Sequence, residues 1–181
     1  MAQIGNTPTS AVQEPTISPE KADKARARAR EDTMLMVTFM LADQIYGGDI
    51  LQIQEVTGIS YITRVPHVKP YIRGVTNLRG NIVPTLDLRA RLGLSESDDI
   101  KGQQIMIART DHGLIGYIVD AVREVITVQK SSIEPTPEGW LDTDHKYFAG
   151  IAKLDENLVT LVDFNRMIQK DQVLLDEISQ E

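Results

Sequence analysis

Apolar side chains in this chain fall in short, closely spaced runs rather than at helical intervals. From Met34 onward, β-rich stretches cover Met34 to Leu41, Ile45 to Tyr46, Ile50 to Val56, Ile82 to Leu88, Gln104 to Arg109, Leu114 to Val119, Glu124 to Val128, Gly150 to Leu154 and Asn157 to Asp163. Runs this short, punctuated by turn residues and with no long helical period between most of them, predict a barrel or sandwich rather than alternating βαβ units. Three turns carry explicit chemistry. Thr110-Asp-His-Gly113 joins two runs, and its glycine can take the positive φ of a tight hairpin. Leu78-Arg-Gly-Asn81 bends the chain before Ile82-Val-Pro-Thr-Leu86, where Pro84 has no amide hydrogen and so marks an edge or a bulge. Asp155-Glu-Asn157 turns a third hairpin. The nearly continuous apolar stretches around Ile105 and Leu114 predict burial on both faces, or one face lining a groove.

Helical signals are confined to two places. Lys69-Pro-Tyr-Ile-Arg73 opens with a proline suited to a first helical turn and ends at Gly74, predicting a short helix near residues 69–74. From Asp163 to about Ser179, Phe164, Met167, Ile168, Leu174, Leu175 and Ile178 recur at helical spacing, with Asp163 placed as N-cap. That pattern predicts a C-terminal helix packed on the barrel, interrupted near Lys170-Asp171. Residues 1–33 hold Ala, Thr, Ser, Pro and charge but hardly a large apolar side chain, too little burial to offset the entropy of ordering. The organisation expected is a disordered tail over 1–33, a folded domain over 34–168, and the end of the helix with a short tail over 169–181.

Charge sharpens this division. The tail carries five basic and five acidic residues, so the rest of the chain holds the entire formal charge of −7. A net-acidic body without a basic stripe argues against nucleic acid, whose recognition is dominated by attraction to phosphates. The absence of cysteine excludes disulfides, thiolate metal sites and cysteine nucleophiles. The longest apolar run is far below the roughly 20 residues of a membrane-spanning helix, so the expectation is a cytoplasmic protein with no direct membrane insertion.

Catalytic constellations fail one after another. His67, His112 and His145 lie far apart with no metal-ligand spacing, and neither a nucleophile elbow nor a phosphate-cradling glycine loop is present. The reading is therefore a binding protein, not an enzyme, with no metal and no cofactor.

One block is more specific: Ile62-Thr-Arg-Val-Pro66, Pro70-Tyr-Ile-Arg-Gly-Val-Thr-Asn-Leu-Arg-Gly80 and Ile82-Val-Pro-Thr-Leu-Asp-Leu-Arg89. Ahead of it stand Phe39-x-Leu41, Tyr46-Gly47 and Asp49-Ile-Leu-x-Ile-Gln-Glu-Val56, and after it Gly116-Tyr-Ile-Val-Asp120, Ile133-Glu-Pro-Thr-Pro137 and the Leu158 to Val162 run. From about Met34 to Met167 the chain resembles the CheW family of bacterial chemotaxis coupling proteins. The resemblance implies a mainly β fold of two small five-stranded barrels sharing a core. It also implies a non-enzymatic adaptor between the cytoplasmic hairpin tip of a chemoreceptor and the regulatory domain of the histidine kinase CheA, recruited to membrane-associated receptor arrays.

Site residues follow position by position from the same resemblance. Ile53, Glu55, Gly74, Val75, Arg79, Ile105 and Val125 match the receptor-binding groove, with Glu55 placed opposite Arg79; Glu134, Trp140 and Gly150 match a kinase-binding region. For the apolar members, ordinary core packing competes with this role, and for Gly74 a backbone requirement does. Arg79 has little packing reason to sit in a turn beside apolar runs, whereas a guanidinium there can pair a carboxylate and face a partner. Two departures stand out: Gly48 where the family carries a large aliphatic residue, expected to loosen that strand, and Thr85 where Val or Ile is common. The alternative reading is a small β-barrel that takes a low-molecular-weight ligand in the groove between its halves.

Overall fold

The computed structural model describes residues 32–59, 61–95, 102–137, 146–154, 157–169 and 171. Eleven strands run in chain order: β1 (Thr33–Leu41), β2 (Gln44–Asp49), β3 (Ile53–Gly58), β4 (Ile72–Leu78), β5 (Asn81–Asp87), β6 (Gln104–Thr110), β7 (Gly113–Val119), β8 (Ala121–Gln129), β9 (Ile133–Glu134), β10 (Phe148–Leu154) and β11 (Asn157–Val162). Two short helices, α1 (Leu88–Arg91) and α2 (Phe164–Ile168), complete the described residues with single 3₁₀ turns at Ile50–Gln52 and Lys130–Ser132. The fold is mainly β and divides into two sheets. The first has the order β8-β1-β2-β11-β10-β9, the second β3-β6-β7-β5-β4. The second sheet has the five strands expected; the first gains a sixth in the two-residue β9.

Strand periodicity explains how one chain feeds several cores. Successive side chains of a strand point to opposite faces, so β1 sends Met36 into a cluster with Val128, Ala152, Val159 and Leu161, and Phe39 and Leu41 into another. That second cluster is the shared core. It joins Phe39, Leu41 and Tyr46 of the first sheet to Ile72, Leu86, Met106 and Tyr117 of the second, and is closed by Phe164, Met167 and Ile168 of α2. The other face of the β6–β7 pair contributes Ile105, Ile107 and Ile118 to a third cluster with Val83. The unbroken apolar runs thus report burial on both faces.

The Thr110–Gly113 hairpin forms as expected, with Gly113 at φ +100°. Leu154 faces Asn157 across the β10–β11 pair, the register of the third expected hairpin. Asp163 caps α2, its carboxylate accepting from the Asn165 and Arg166 amides. The helix stops at Ile168 and the chain turns at Asp171; the rest of the expected helix, residues 172–179, and residues 1–31 of the tail expected over 1–33 lie outside the described residues, while Thr33 already belongs to β1.

Three expectations are corrected. Residues 69–74 form no helix: Pro70 and Tyr71 make a turn, the Ile72 amide donates to the Lys69 carbonyl, and Ile72 begins β4 opposite Leu86. Gly74 at φ +137° cannot continue a right-handed helix, and the β5 ladder bonds the following residues instead. Pro84 lies on an interior strand, because β5 sits between β7 and β4. It is tolerated because the parallel ladder to β7 starts one residue later, at Thr85 opposite Gly116, beside a bulge in β4 between Ile72 and Gly74. Gly48 does not loosen its strand: a Cβ there would stand 2.5 Å from Cε2 of Phe164, so the missing side chain is the space that ring fills.

Candidate partner-binding site

β4 and β5 are joined by a two-residue loop, Arg79-Gly80, with Leu78 facing Asn81. Both loop residues have positive φ, +51° and +92°, the geometry of a type I′ turn, which favours Asn-Gly over Arg-Gly. The Asn77 Oδ1 accepts from the Gly80 amide at 2.8 Å and secures the turn. Holding an arginine in the left-handed region costs about 1 kcal/mol, so turn formation does not account for the side chain chosen there.

Its guanidinium reaches back to β3. Nη2 of Arg79 donates to Oε2 of Glu55 at 2.7 Å, with the Arg79 side chain 81% exposed and the Glu55 side chain 21% exposed. An exposed pair of this kind stabilises a fold by about 0 to 1 kcal/mol. The carboxylate holds one edge of a planar cation and leaves its other donors facing solvent.

The remaining expected residues divide by what surrounds them. Ile53 is half-buried at the start of β3 and packs on the shared core. Gly74 is a backbone requirement: an added Cβ would stand 2.0 Å from the Thr63 carbonyl oxygen, because Thr63 and Val75 exchange two backbone hydrogen bonds at 2.8 Å across that point. Val75 beside it is half-buried. Ile105 is 1% exposed, inside the third cluster, so it can shape a surface only through packing. Val125 is 52% exposed on β8. The structure therefore brings Glu55 and Arg79 into contact, places Gly74 and Val75 on the strand leading to Arg79, and puts Val125 on the other sheet. Glu134 and Gly150 come together elsewhere, since a Cβ on Gly150 would stand 2.7 Å from the Glu134 carbonyl oxygen. Trp140 lies outside the described residues.

Sequence reasoning missed a second polar cluster. Asp171, its side chain fully buried, accepts from Lys69 Nζ and from the Tyr71 hydroxyl at 2.7 Å, and pairs with Arg91 at 3.2 Å. The Arg91 guanidinium stands over the rings of Tyr71 and Tyr147, 4.3 and 4.5 Å from their centroids, and donates to the Met167 carbonyl. The Asp171 hydrogen bond is the main cause holding Lys69 above its ordinary pKa; burial, then Asp171, raises Tyr71. The participating residues are up to 102 apart in sequence, so no local pattern announces them. A similar tie links α1 to the β1–β2 turn: Arg89 pairs with Asp120, whose Oδ2 also accepts from the Ala42 amide at 2.6 Å.

Cavities open on both sheets of the described surface. One of about 460 Å³ is lined by first-sheet residues, and one of about 210 Å³ by residues of the second sheet and the loops beside it. Neither is lined by residues of both sheets. No described helix is long and apolar enough to cross a membrane.

Comparison with known proteins agrees with this architecture. A family model described as CheW-like domain matches residues 35–172. The chain is 36% identical over 136 residues to chemotaxis protein CheW of Bacillus subtilis (strain 168), covering 75% of this chain and 87% of that protein. It is 31% identical over 137 residues to a probable chemotaxis protein CheW of Rhizobium etli, covering 76% and 88%. The crystal structure of scaffolding protein TtCheW from Thermoanaerobacter tengcongensis matches with a TM-score of 0.70 at 35% identity, covering 77% of this chain and 94% of that one. With the two-sheet fold, the family model and these relatives in agreement over the same residues, the chain belongs to the CheW-like domain family.

Proposed function

We propose that this chain is a non-catalytic adaptor of bacterial chemotaxis that couples the cytoplasmic tips of chemoreceptors, the methyl-accepting chemotaxis proteins, to the regulatory domain of the histidine kinase CheA. The observation that carries the reading is the Arg79–Glu55 pair: a strained, exposed cation held in place by a carboxylate, with almost no return in stability. Such a group is accounted for by a partner surface. The relatives' names place them in chemotaxis, and that of the solved structure describes scaffolding.

In this reading residues 34–168 form the coupling unit, with 1–33 and 169–181 as flanking segments. Receptor contact is made around Glu55 and Arg79, with Ile53, Val75 and Val125 beside them and Gly74 and Ile105 setting the underlying shape. Kinase contact is made around Glu134, Trp140 and Gly150. The protein works in the cytoplasm and joins receptor arrays through these contacts. Each contact is weak alone, and multiplicity in an array supplies the strength. Signal passes geometrically: fixing a kinase domain beside a receptor tip lets a small receptor shift bias the kinase between two states.

The test is a pull-down of a receptor cytoplasmic fragment and of the CheA regulatory domain. Wild type is expected to retain both, and Arg79→Glu to lose the receptor fragment while its thermal midpoint stays within about 2 °C, the shift expected of a surface change below about 0.5 kcal/mol. Retention of neither partner by wild type overturns the adaptor reading.

A further inference from the structure

β8 is an edge strand whose outer side is paired with no strand among the described residues. Its hydrogen-bonding phase follows from one contact: the Lys130 amide donates to the Asp32 carbonyl at 2.8 Å. Bonded and non-bonded pairs alternate along an antiparallel ladder. Met34 with Val128 and Met36 with Ile126 are therefore the bonded pairs, and Leu35 with Thr127 and Val37 with Val125 the non-bonded ones. The N–H and C=O groups of Val125 and Thr127 accordingly point away from β1, off the sheet.

They meet a cleft there. The 460 Å³ cavity takes Arg123, Glu124, Ile126 and Thr127 as one wall. Residues whose side chains alternate between the two faces of β8 border it, as expected of a cleft that follows a strand edge. Leu154 and Val159 form the facing wall. β10 outruns its neighbour on that side, since β9 pairs only with Ile151 and Ala152. The unpaired edge of β8 thus borders a cavity whose lining combines the apolar Ile45, Ile126, Leu154 and Val159 with polar residues. Native edges are commonly guarded by charged side chains, proline or short length; β8 has nine residues and no proline, with Arg123 and Glu124 as its charges and a half-exposed Val125 at its middle.

The opening specifies its occupant. Outward amide groups call for another peptide backbone. Ile126, Leu154 and Val159 call for an apolar side chain pointing inward. The Arg123 guanidinium makes no hydrogen bond or ion pair among the described residues, and calls for a carboxylate; Glu124 one residue on excludes a second acid beside it and so fixes register. We propose that the free edge of β8 is a strand-addition site for an extended segment of a partner protein in which acidic and apolar residues alternate. This shares Val125 with the proposed receptor surface but uses the outward backbone of β8 and the cleft rather than the Glu55–Arg79 pair, so peptide binding is read separately from the pull-down.

The test uses the full chain and a fluorescein-labelled hexapeptide of alternating glutamate and valine, read by fluorescence anisotropy. Saturable binding is expected, weakened at least tenfold when alternate peptide amides are N-methylated, and weakened at least tenfold by Arg123→Glu, which then favours the lysine–valine peptide. Circular dichroism and the melting midpoint verify the fold of the variant, and the N-methylated peptide tests the wild-type protein directly. No saturable binding overturns the proposal; so does equal affinity for the N-methylated peptide, which marks simple filling of an apolar cleft.

Discussion

At the scale of single residues, the glycines separate what the sequence can express from what it cannot. Gly113 and Gly80 sit in turns whose need for positive φ is local, and both are readable from the residues around them. Gly48 is not, since the atom that forbids a side chain belongs to Phe164, far along the chain. Gly48→Ala is expected to destabilise the fold by about 1 to 3 kcal/mol through overpacking, measured by urea denaturation, with Phe164→Leu recovering part of the loss in the double variant. Equal stability of Gly48→Ala and wild type would show that the ring yields. Gly74→Ala should cost more, because its obstacle is the Thr63 backbone carbonyl and its φ is unfavourable to any side chain. Arg79 stood out for a different reason, since a charged residue in a tight turn violates local preference, whereas Glu55 was placed opposite it only by the family resemblance, and the two are in contact at 2.7 Å.

Among elements, local propensity misled where long-range pairing was stronger. Pro70 and the residues after it satisfy a helix-start pattern, yet Ile72 and the residues beyond Gly74 gain a full ladder against β5, a partner that a local window does not include. The reverse holds for α2, whose N-cap at Asp163 and interruption near Lys170-Asp171 were both evident locally, while the partners that hold its end are distant in sequence. Asp171 anchors that end through Lys69, Tyr71 and Arg91. Asp171→Asn keeps the shape but leaves the largely buried Arg91 without its anion, and removal of one member of a buried ion pair typically costs about 3 to 5 kcal/mol. Lys69→Met should cost far less, because the Lys69 side chain is half exposed and Tyr71 and Arg91 remain on the carboxylate. Chemical denaturation of the two variants checks the ordering; equal losses would mean that the cluster is held by Lys69 rather than by Arg91.

Across the whole molecule, the shared core makes the two sheets one cooperative body, and its tyrosines give that body a pH signature. Tyr117 is fully buried, donates its hydroxyl proton to the Phe164 carbonyl at 2.7 Å, and is pushed well above its ordinary pKa by burial. Burial also raises Tyr46 and Tyr71, and the Asp171 hydrogen bond raises Lys69. All four shifts act in one direction. Above about pH 10 the unfolded chain releases protons that the folded chain retains, so the unfolded state binds fewer and stability falls as pH rises. Below that pH the contribution is fully present. The melting midpoint is therefore expected to be flat on the alkaline side of neutrality and to drop steeply beyond pH 10. Tyr117→Phe removes the most deeply buried titrating group, so its midpoint should start lower, having lost the bond that ties β7 to α2, and then decline less steeply with pH. Parallel declines for the two proteins would mean that Tyr117 titrates equally in both states, and that the join between second sheet and terminal helix opens before the body unfolds.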